Sequence, residues 1–244
     1  LRERFPSAHI TLLSSDKLGG LWGGHPDLDE VMTFGRGEGL WSISRRIRRG
    51  RFDTAVILPN SPRSALECLL AGVPRRVGRR WPWRSWMLTD VIADNPHAVP
   101  MRKRPVEEIR SRVASATASR DPDPDLRAHQ MHHYLDLVAA LGADPSPLPP
   151  RLVVSGAEVE AVRQKHGFRP GSAWLGINAG AEYGPAKRWP AERFAAVADA
   201  IRKEFDCGIA IFGGLGDVAL AGELAEQLKT AAPTVRILAG RTSL

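Results

Sequence analysis

The chain has 244 residues, of which 43% are hydrophobic and 25% charged, and this composition excludes a disordered or collagen-like protein. A chain of this length is expected to form one large domain or two small ones. No apolar run approaches the roughly 18 residues of a membrane-spanning helix. The two cysteines are too few and too far apart for a disulfide framework or a zinc site, so we expect a cytoplasmic location.

The net charge of +7 is concentrated in three Arg-rich segments, residues 43–51, 74–84 and 101–104. Arginine binds phosphate and carboxylate groups through two parallel hydrogen bonds, which leaves three interpretations open. The partner is an anionic small molecule or phosphorylated lipid headgroup, or it is a nucleic acid whose bases stack on Trp81 and Trp83, or the segments form a solvated basic face. Because no nucleic-acid-binding motif accompanies these segments, we predict no nucleic-acid partner.

The first half of the chain is predicted to alternate strands with helices. Strands are predicted at residues 9–15, 31–34, 52–61 and 75–78, and helices at 40–50 and 61–72. The second helix has the clearest boundaries, with Ser61 as its cap, Pro62 in its first turn and Gly72 as its stop. This alternation is typical of a parallel sheet with crossover helices.

Residues 95–125 interrupt the pattern and are predicted to be loops around a weak helix, followed by a helix at 132–142. Residues 143–151 are rich in proline and are predicted to be a stiff linker between domains. The predicted domains are therefore 1–142 and 152–244. In the second domain we predict helices at 156–167, 190–205 and 217–231, and strands at 172–180, 207–214 and 235–240.

Ligands of open α/β sheets bind beyond the carboxyl ends of the strands, which directs attention to the loop at 177–190. Gly180 and Gly184 allow the backbone to approach a ligand closely. Lys187 and Arg188 precede a helix whose N-terminus carries partial positive charge, so the loop favours a diphosphate. The alternative is an ordinary strand–helix loop with two solvated cations.

Two further loops follow predicted strands. In the loop at 212–217, Gly213 ends the strand and Asp217 either accepts hydrogen bonds from ribose hydroxyls or caps the next helix. In the loop at 58–66, polar side chains suit a polyhydroxylated ligand, or they belong to a capped helix start; these side chains are Asn60, Ser61, Arg63 and Ser64.

Other chemistries have weaker support. The histidines at 129, 132 and 133 lack the acidic residue of a metal-binding HExxH motif, so we interpret them as a surface cluster and predict no metal site. No GxSxG motif indicates a serine nucleophile.

The segment NAGAEYGPAKRWPAERF at 178–194 resembles the ADP-heptose:lipopolysaccharide heptosyltransferases of glycosyltransferase family 9. Supporting segments occur in the family's order at 58–66, 71–80, 132–142, 212–217 and 238–244. The resemblance implies a GT-B architecture, with two Rossmann-like α/β domains facing across a cleft. It also implies an inverting transfer of L-glycero-D-manno-heptose from ADP-heptose onto the first heptose of the lipopolysaccharide inner core, with no metal and no cofactor.

The resemblance also assigns roles to residues. Lys187 matches the family lysine that contacts the donor phosphates, and it would stabilise the leaving group. The expected donor-binding residues are Asn178, Gly180, Ala181, Lys187, Arg188, Gly213 and Asp217. The expected acceptor-binding residues are Asn60, Ser61, Arg63 and Ser64 in the N-terminal domain.

Both ends of the chain lead us to expect a fragment of a longer protein. By the resemblance, the family's Gly-Asp loop with the catalytic base would precede Leu1, and an acidic donor loop would follow Leu244. The alternatives are another family 9 core glycosyltransferase, an inactive fragment or an anionic-ligand-binding module. The expected location is cytoplasmic, with peripheral attachment to the inner face of the inner membrane as a further option.

Overall fold

A computed structural model describes residues 1–97, 105–115, 126–181, 185–228 and 235–242. The chain divides into two compact units, Leu1–Leu152 and Val153–Leu244. Every strand pair in the described residues is parallel, and α-helices connect successive strands except the fourth and the fifth, which a 3-10 turn at Ser85–Met87 connects. The predicted α/β fold class with parallel sheets is therefore confirmed.

The first unit contains two small sheets. Strands β1 (Thr11–Ser15) and β2 (Glu30–Phe34) form one sheet, and helix α1 (Asp16–Trp22) connects them. The second sheet has the order β3 (Thr54–Ile57), β4 (Arg75–Arg79) and β5 (Asp90–Ile92). The helices that follow β2 are α2 (Leu40–Arg49), α3 (Pro62–Ala71), α4 (Val106–Ser115) and α5 (Gln130–Ala139).

The predicted boundaries of α3 are confirmed. The Ser61 hydroxyl accepts a hydrogen bond from the Ser64 amide at 3.2 Å, which satisfies one of the amide groups at the start of the helix. Gly72 ends the helix with φ of 77°, in the left-handed region that glycine adopts without strain. The predicted helix at 40–50 is present as α2, and its Ile43 and Ile47 are buried in the core of this unit.

The second unit has a single three-stranded sheet. Its elements are α6 (Gly156–His166), β6 (Trp174–Asn178), α7 (Ala191–Phe205), β7 (Gly208–Phe212), α8 (Val218–Gln227) and β8 (Val235–Ile237). The strand order is β6, β7, β8, and the core packs Ile209 and Ile211 against Ala198 and Leu224. Asn178 pairs with Phe212, so the carboxyl ends of β6 and β7 lie side by side.

Two elements were not predicted, helix α1 and strand β5. Helix α1 contains Gly19 and Gly20, which disfavour helix in isolation. A Cβ built on Gly19 would lie 2.7 Å from the Thr33 side chain, so tertiary packing against β2 explains this glycine. Strand β5 has only three residues, too few for a hydrophobic pattern to identify it.

Trp41 is 68% exposed on α2. The weak helix predicted within residues 95–125 is present as α4, whereas the flanks at 98–104 and 116–125 lie outside the described residues. No helix within the described ranges combines the length and apolar character needed to cross a bilayer.

Candidate active site

The predicted donor residues from two loops converge on the Asp217 carboxylate at the carboxyl ends of β6 and β7. Asp217 Oδ2 accepts a hydrogen bond from the Gly214 amide at 3.0 Å. A Cβ on Gly180 would lie 2.4 Å from Oδ2, and a Cβ on Gly213 would lie 2.8 Å from the Asp217 Cβ. Both glycines are therefore required by the close approach of Asp217.

Arg188 joins the same cluster from the loop after β6. Its Nη2 lies 3.7 Å from Asp217 Oδ1 and 3.5 Å from the carbonyl oxygen of Ala181. The guanidinium is 40% exposed, so this ion pair is open to solvent on one side and contributes modestly to stability. An anion that approached Arg188 from solvent would compete with Asp217 for the same donor group.

Lys187 lies immediately before Arg188, in a single 3-10 turn formed by Pro185–Lys187. The residue is exposed, and it has an interaction within the protein. The long helix α7 begins three residues after Arg188, with Pro190 at its N-cap position, and proline offers no side chain that could cap the first amides. Two cations therefore flank the positive end of a 15-residue helix.

Asn178 is exposed at the last position of β6. Gly184, which was predicted to permit close approach of a ligand, lies outside the described residues. The structure thus brings together Gly180, Ala181, Arg188, Gly213 and Asp217, with Lys187 adjacent in the chain. One Asp217 oxygen accepts from the Gly214 amide at the start of a 3-10 turn, Leu215–Asp217, and the other lies near Arg188. The prediction that this side chain caps the next helix is wrong, because it makes no capping hydrogen bond to α8.

The predicted acceptor residues lie in the first unit, at the start of α3. Ser61 is occupied in capping the helix, and Ser64 Oγ donates to the Ser61 carbonyl oxygen at 2.9 Å. Arg63 donates to Glu67 Oε1 at 2.7 Å and to the carbonyl oxygen of Glu38 at 2.5 Å. Asn60, Ser61 and Arg63 remain exposed, so they combine internal bonds with access to solvent.

Glu38 was not predicted, and it organises this region. Its carboxylate accepts hydrogen bonds from Ser42, at 2.8 Å, and from Arg46, at 3.1 Å. These two donors hold the pKa of Glu38 below its ordinary value of 4.5. No motif marks this residue in the sequence, because its partners are spread over α2 and the preceding loop.

Arg84 is a second residue that the sequence did not identify. Its side chain is 0% exposed, and Nη1 donates to the Pro59 carbonyl oxygen at 2.5 Å and to Asn60 Oδ1 at 3.4 Å. Arg84 therefore holds the loop that carries the predicted acceptor residues. Burial lowers the pKa of its guanidinium, since no described carboxylate pairs with it.

The basic run at 74–84, for which three interpretations were open, makes internal contacts through four of its five arginines. Arg75 pairs with Asp90 at 2.9 Å, and Arg76 donates to the Met87 carbonyl oxygen at 2.7 Å. Arg79 is buried and donates to Asp136 Oδ2 at 2.5 Å. These three arginines and Arg84 fasten the sheet to its surroundings, which leaves Arg80 as the exposed arginine after β4.

No group of three metal-ligating side chains occurs in the part of the chain that the structure describes. Of the three clustered histidines, His129 begins α5 and its Nδ1 accepts a hydrogen bond from the Met131 amide at 3.2 Å. The His133 carbonyl oxygen accepts from Arg79. The cluster thus has structural contacts at the start of α5.

Comparison with known proteins gives consistent results for sequence and structure. The family model for glycosyltransferase family 9 (heptosyltransferase) matches residues 40–244. Lipopolysaccharide heptosyltransferase 2 of Escherichia coli K12 is 29% identical over 252 residues, covering 100% of this chain and 66% of the relative. Lipooligosaccharide heptosyltransferase 2 of Haemophilus ducreyi is 27% identical over 256 residues, with the same coverage of 100% and 66%.

Two solved structures share the fold. The structure of E. coli ADP-heptose lps heptosyltransferase II has a TM-score of 0.71 and 26% identity, and the match covers 99% of this chain and 66% of that one. The crystal structure of a family 9 glycosyl transferase from Veillonella parvula has a TM-score of 0.75 at 22% identity, covering 99% and 63%, and it supports the fold alone. The chain thus spans 66% of the length of the curated relatives that it matches.

Proposed function

We propose that this chain, which belongs to glycosyltransferase family 9, is part of an enzyme that transfers L-glycero-D-manno-heptose from ADP-heptose to the lipopolysaccharide inner core with inversion. The family membership makes the protein a heptosyltransferase-type glycosyltransferase with the α/β architecture of the GT-B class. The relatives named lipopolysaccharide heptosyltransferase 2 support the acceptor class. The similarity to the E. coli ADP-heptose lps heptosyltransferase II supports ADP-heptose as the donor.

The observation that carries the donor assignment is the grouping of Lys187, Arg188 and the start of α7 at the carboxyl end of β6. In an inverting transfer, an acceptor hydroxyl attacks the anomeric carbon while the bond from that carbon to the phosphate oxygen breaks. The bonding electron pair leaves with ADP, so negative charge grows on its terminal phosphate. Fixed cations and amide donors stabilise that charge in the transition state.

We assign Lys187 to the terminal phosphate and Arg188 to the neighbouring one. When the diphosphate binds, the Arg188 guanidinium contacts the phosphate and gives up part of its 3.7 Å contact with Asp217. Because Arg188 lies between the two groups, Asp217 stays close to the nucleotide. Asp217 Oδ1 is then available to ribose hydroxyls while Oδ2 keeps its bond to the Gly214 amide. Asn178, Gly180, Ala181 and Gly213 complete the proposed donor pocket.

The acceptor assignment depends on the exposed start of α3. Asn60, Ser61, Arg63 and Ser64 present hydroxyl, amide and guanidinium groups whose positions are fixed by the helix cap and by Arg84. Such a rigid polar edge suits a polyhydroxylated core sugar that carries phosphate or carboxylate groups. The proton of the attacking hydroxyl must pass to a carboxylate, and we assign that role to no residue of this chain.

Lys187→Ala in the full-length protein tests the donor assignment. Turnover with ADP-heptose is expected to fall about 100-fold to 1000-fold, because the substitution removes one preorganised charge from the leaving group. Lys203→Ala is the matched control, since it removes an exposed lysine from the last turn of α7 in the same unit. An unchanged kcat for Lys187→Ala would remove this lysine from the mechanism.

Donor trials separate the proposed substrate from its alternatives. Transfer from ADP-heptose, with no transfer from UDP-sugars, is the expected result. Transfer from a different nucleotide sugar would identify another family 9 core glycosyltransferase. Binding of ADP without any transfer by the full-length protein would leave an anionic-ligand-binding module.

A further inference from the structure

Three tryptophans cluster on the surface of the first unit, in the turn that follows β4. Trp81, Trp83 and Trp86 are 49%, 86% and 70% exposed. They line a surface depression of about 590 Å³ together with Arg80 and Asp94. We call residues 80–86 the Trp turn. A cluster of large aromatic side chains with this much exposed surface is unusual on a protein surface that contacts only solvent.

The backbone of the Trp turn is built to present these rings. Trp83 has φ of 65°, in the left-handed region where any residue other than glycine costs about 1–2 kcal/mol. Ser85 closes the turn, because its Oγ lies 3.3 Å from the Trp81 amide and 3.2 Å from the Trp81 carbonyl oxygen. Trp83 combines this strained backbone with the most exposed ring of the group. Backbone strain at such a position indicates that the ring has a role in binding and not in stabilising the fold.

The charge at the Trp turn is positive. The exposed Arg80 side chain makes no ion pair with any described residue. Beneath the turn, Arg84 is buried, and its Nε and Nη2 have no hydrogen-bond partner among the described residues. Arg80 is the one cation and Asp94 the one carboxylate that line the depression, and the buried Arg84 adds a second positive charge beneath it. An anionic surface lying over the turn would improve this charge balance.

Rings that combine an apolar body with an N–H group suit the boundary between lipid tails and headgroups, where tryptophan is enriched. A basic side chain beside them adds attraction to anionic lipids. A nucleic acid is the poorer match, because its binding depends on several phosphate contacts. Nearby Arg75, Arg76 and Arg79 cannot supply them, since their guanidinium groups already make internal contacts.

We infer that the Trp turn is an interfacial anchor, by which the first unit docks on the surface of a bilayer containing anionic phospholipid. The anchor inserts the rings of Trp81, Trp83 and Trp86 among the headgroups, and Arg80 meets their phosphates. It requires no helix that spans the membrane.

Arg84 connects this anchor to the proposed acceptor residues. The same guanidinium that lies under the Trp turn donates to Pro59 and Asn60 in the loop before α3. Docking would therefore hold that loop close to the bilayer, where an acceptor with a lipid anchor is found. This last step rests on the proposed function, whereas the docking itself does not.

The docking is tested by sedimentation of the 244-residue chain with vesicles of phosphatidylcholine alone or with 30 mol% phosphatidylglycerol. We expect binding to the anionic vesicles, weakening with salt, and a blue shift of the tryptophan emission. Trp83→Gly combined with Trp86→Ser is expected to reduce the partition coefficient about tenfold or more. Arg80→Gln should reduce it about fivefold on anionic vesicles only.

The variants are chosen so that folding does not decide the result. Trp83→Gly relieves the left-handed backbone, so its thermal midpoint should equal or exceed that of the parent chain. Phe205→Ser is the matched control, because it removes an aromatic side chain that is 63% exposed in the second unit. It should leave vesicle binding unchanged.

Absent binding, equal binding to both vesicle types, or binding that the Trp variants do not change would overturn the inference. So would a dimer, or a complex with single-stranded DNA, that depends on the same three tryptophans. Activity of the full-length enzyme separates this inference from the proposed function. Trp-turn variants should keep activity on a deacylated soluble acceptor and lose it on an acceptor embedded in vesicles. If the parent protein transferred sugar to neither acceptor, that result would count against the transferase assignment alone.

Discussion

Gly180→Ala tests the geometry of the donor cluster with a single methyl group. A Cβ at this position would lie 2.4, 2.5 and 2.6 Å from the three atoms of the Asp217 carboxyl group. These distances are far below van der Waals contact, so the carboxylate must turn away. It then loses the 3.0 Å hydrogen bond from the Gly214 amide and its contact with Arg188.

The expected cost follows from those two losses. Removing a carboxylate that caps the start of a helix costs about 1 kcal/mol, within a range of roughly 0.5–2 kcal/mol. The half-exposed ion pair adds about 0.2–1 kcal/mol. We therefore expect Gly180→Ala to lower the free energy of unfolding of the second unit by about 1–3 kcal/mol, measured by urea titration of the 244-residue chain.

A double-mutant cycle isolates the clash. In the Asp217→Ala background, the three atoms that a Cβ on Gly180 would meet are gone, so Gly180→Ala should then cost less than about 0.5 kcal/mol. Gly216→Ala is the control in the same loop, since a Cβ there meets nothing within 4 Å. Additive single and double substitutions, or equal effects at Gly180 and Gly216, would refute the close contact.

Three further predictions address the first unit. Burial raises the pKa of the Cys68 thiol to about 11, so in a Cys207→Ser background Cys68 should react with a disulfide reagent at pH 8 roughly 100-fold more slowly than an unfolded thiol; comparable rates would contradict this. The lowered pKa of Glu38 means that its stabilising effect is complete above pH 4.5 and is lost as the pH falls, so Glu38→Gln should narrow the difference between urea midpoints at pH 7 and pH 3.5, and an unchanged difference would argue against the Ser42 and Arg46 bonds. Arg79→Met should cost about 2 kcal/mol or more because it removes a buried guanidinium that donates to Asp136, His133 and Ala93, whereas Arg80→Met should stay within about 0.5 kcal/mol; similar midpoints in a thermal melt would contradict the difference in burial.

The elements that could be predicted from sequence have local chemistry at their ends. Ser61, Pro62 and Gly72 determine where α3 begins and ends through contacts within a few residues, and the structure reproduces each of them. Helix α1 has no comparable signal, because its glycines are explained by the approach of Thr33 from a neighbouring strand. Sequence patterns report local contacts, and α1 depends on a distant one.

The donor loops illustrate an intermediate case. The FGGLGD segment indicated either a cap of the next helix or a ligand-binding acid. In the structure one Asp217 oxygen accepts from the Gly214 amide at a 3-10 turn and the other lies near Arg188, and the side chain does not cap α8. The Arg188 contact could not be predicted, since it arises from the parallel pairing of β6 with β7. The pairing also brings the Asp217 carboxylate against Gly180. This close approach explains a glycine that the sequence analysis attributed to ligand binding.

The arginines after β4 show why residue type alone does not locate a binding surface. Arg79 and Arg80 are adjacent and chemically identical, yet one is buried against Asp136 and the other faces solvent. A guanidinium can be buried only where carbonyl or carboxylate oxygens from other elements meet it, and those partners lie in α5 and in the loop after β5. The tertiary partners therefore decide which arginines of an Arg-rich run make internal structural contacts and which remain exposed to a ligand. At the Trp turn this division leaves one exposed arginine beside three exposed tryptophans, a composition that matches a lipid interface better than a polyanion.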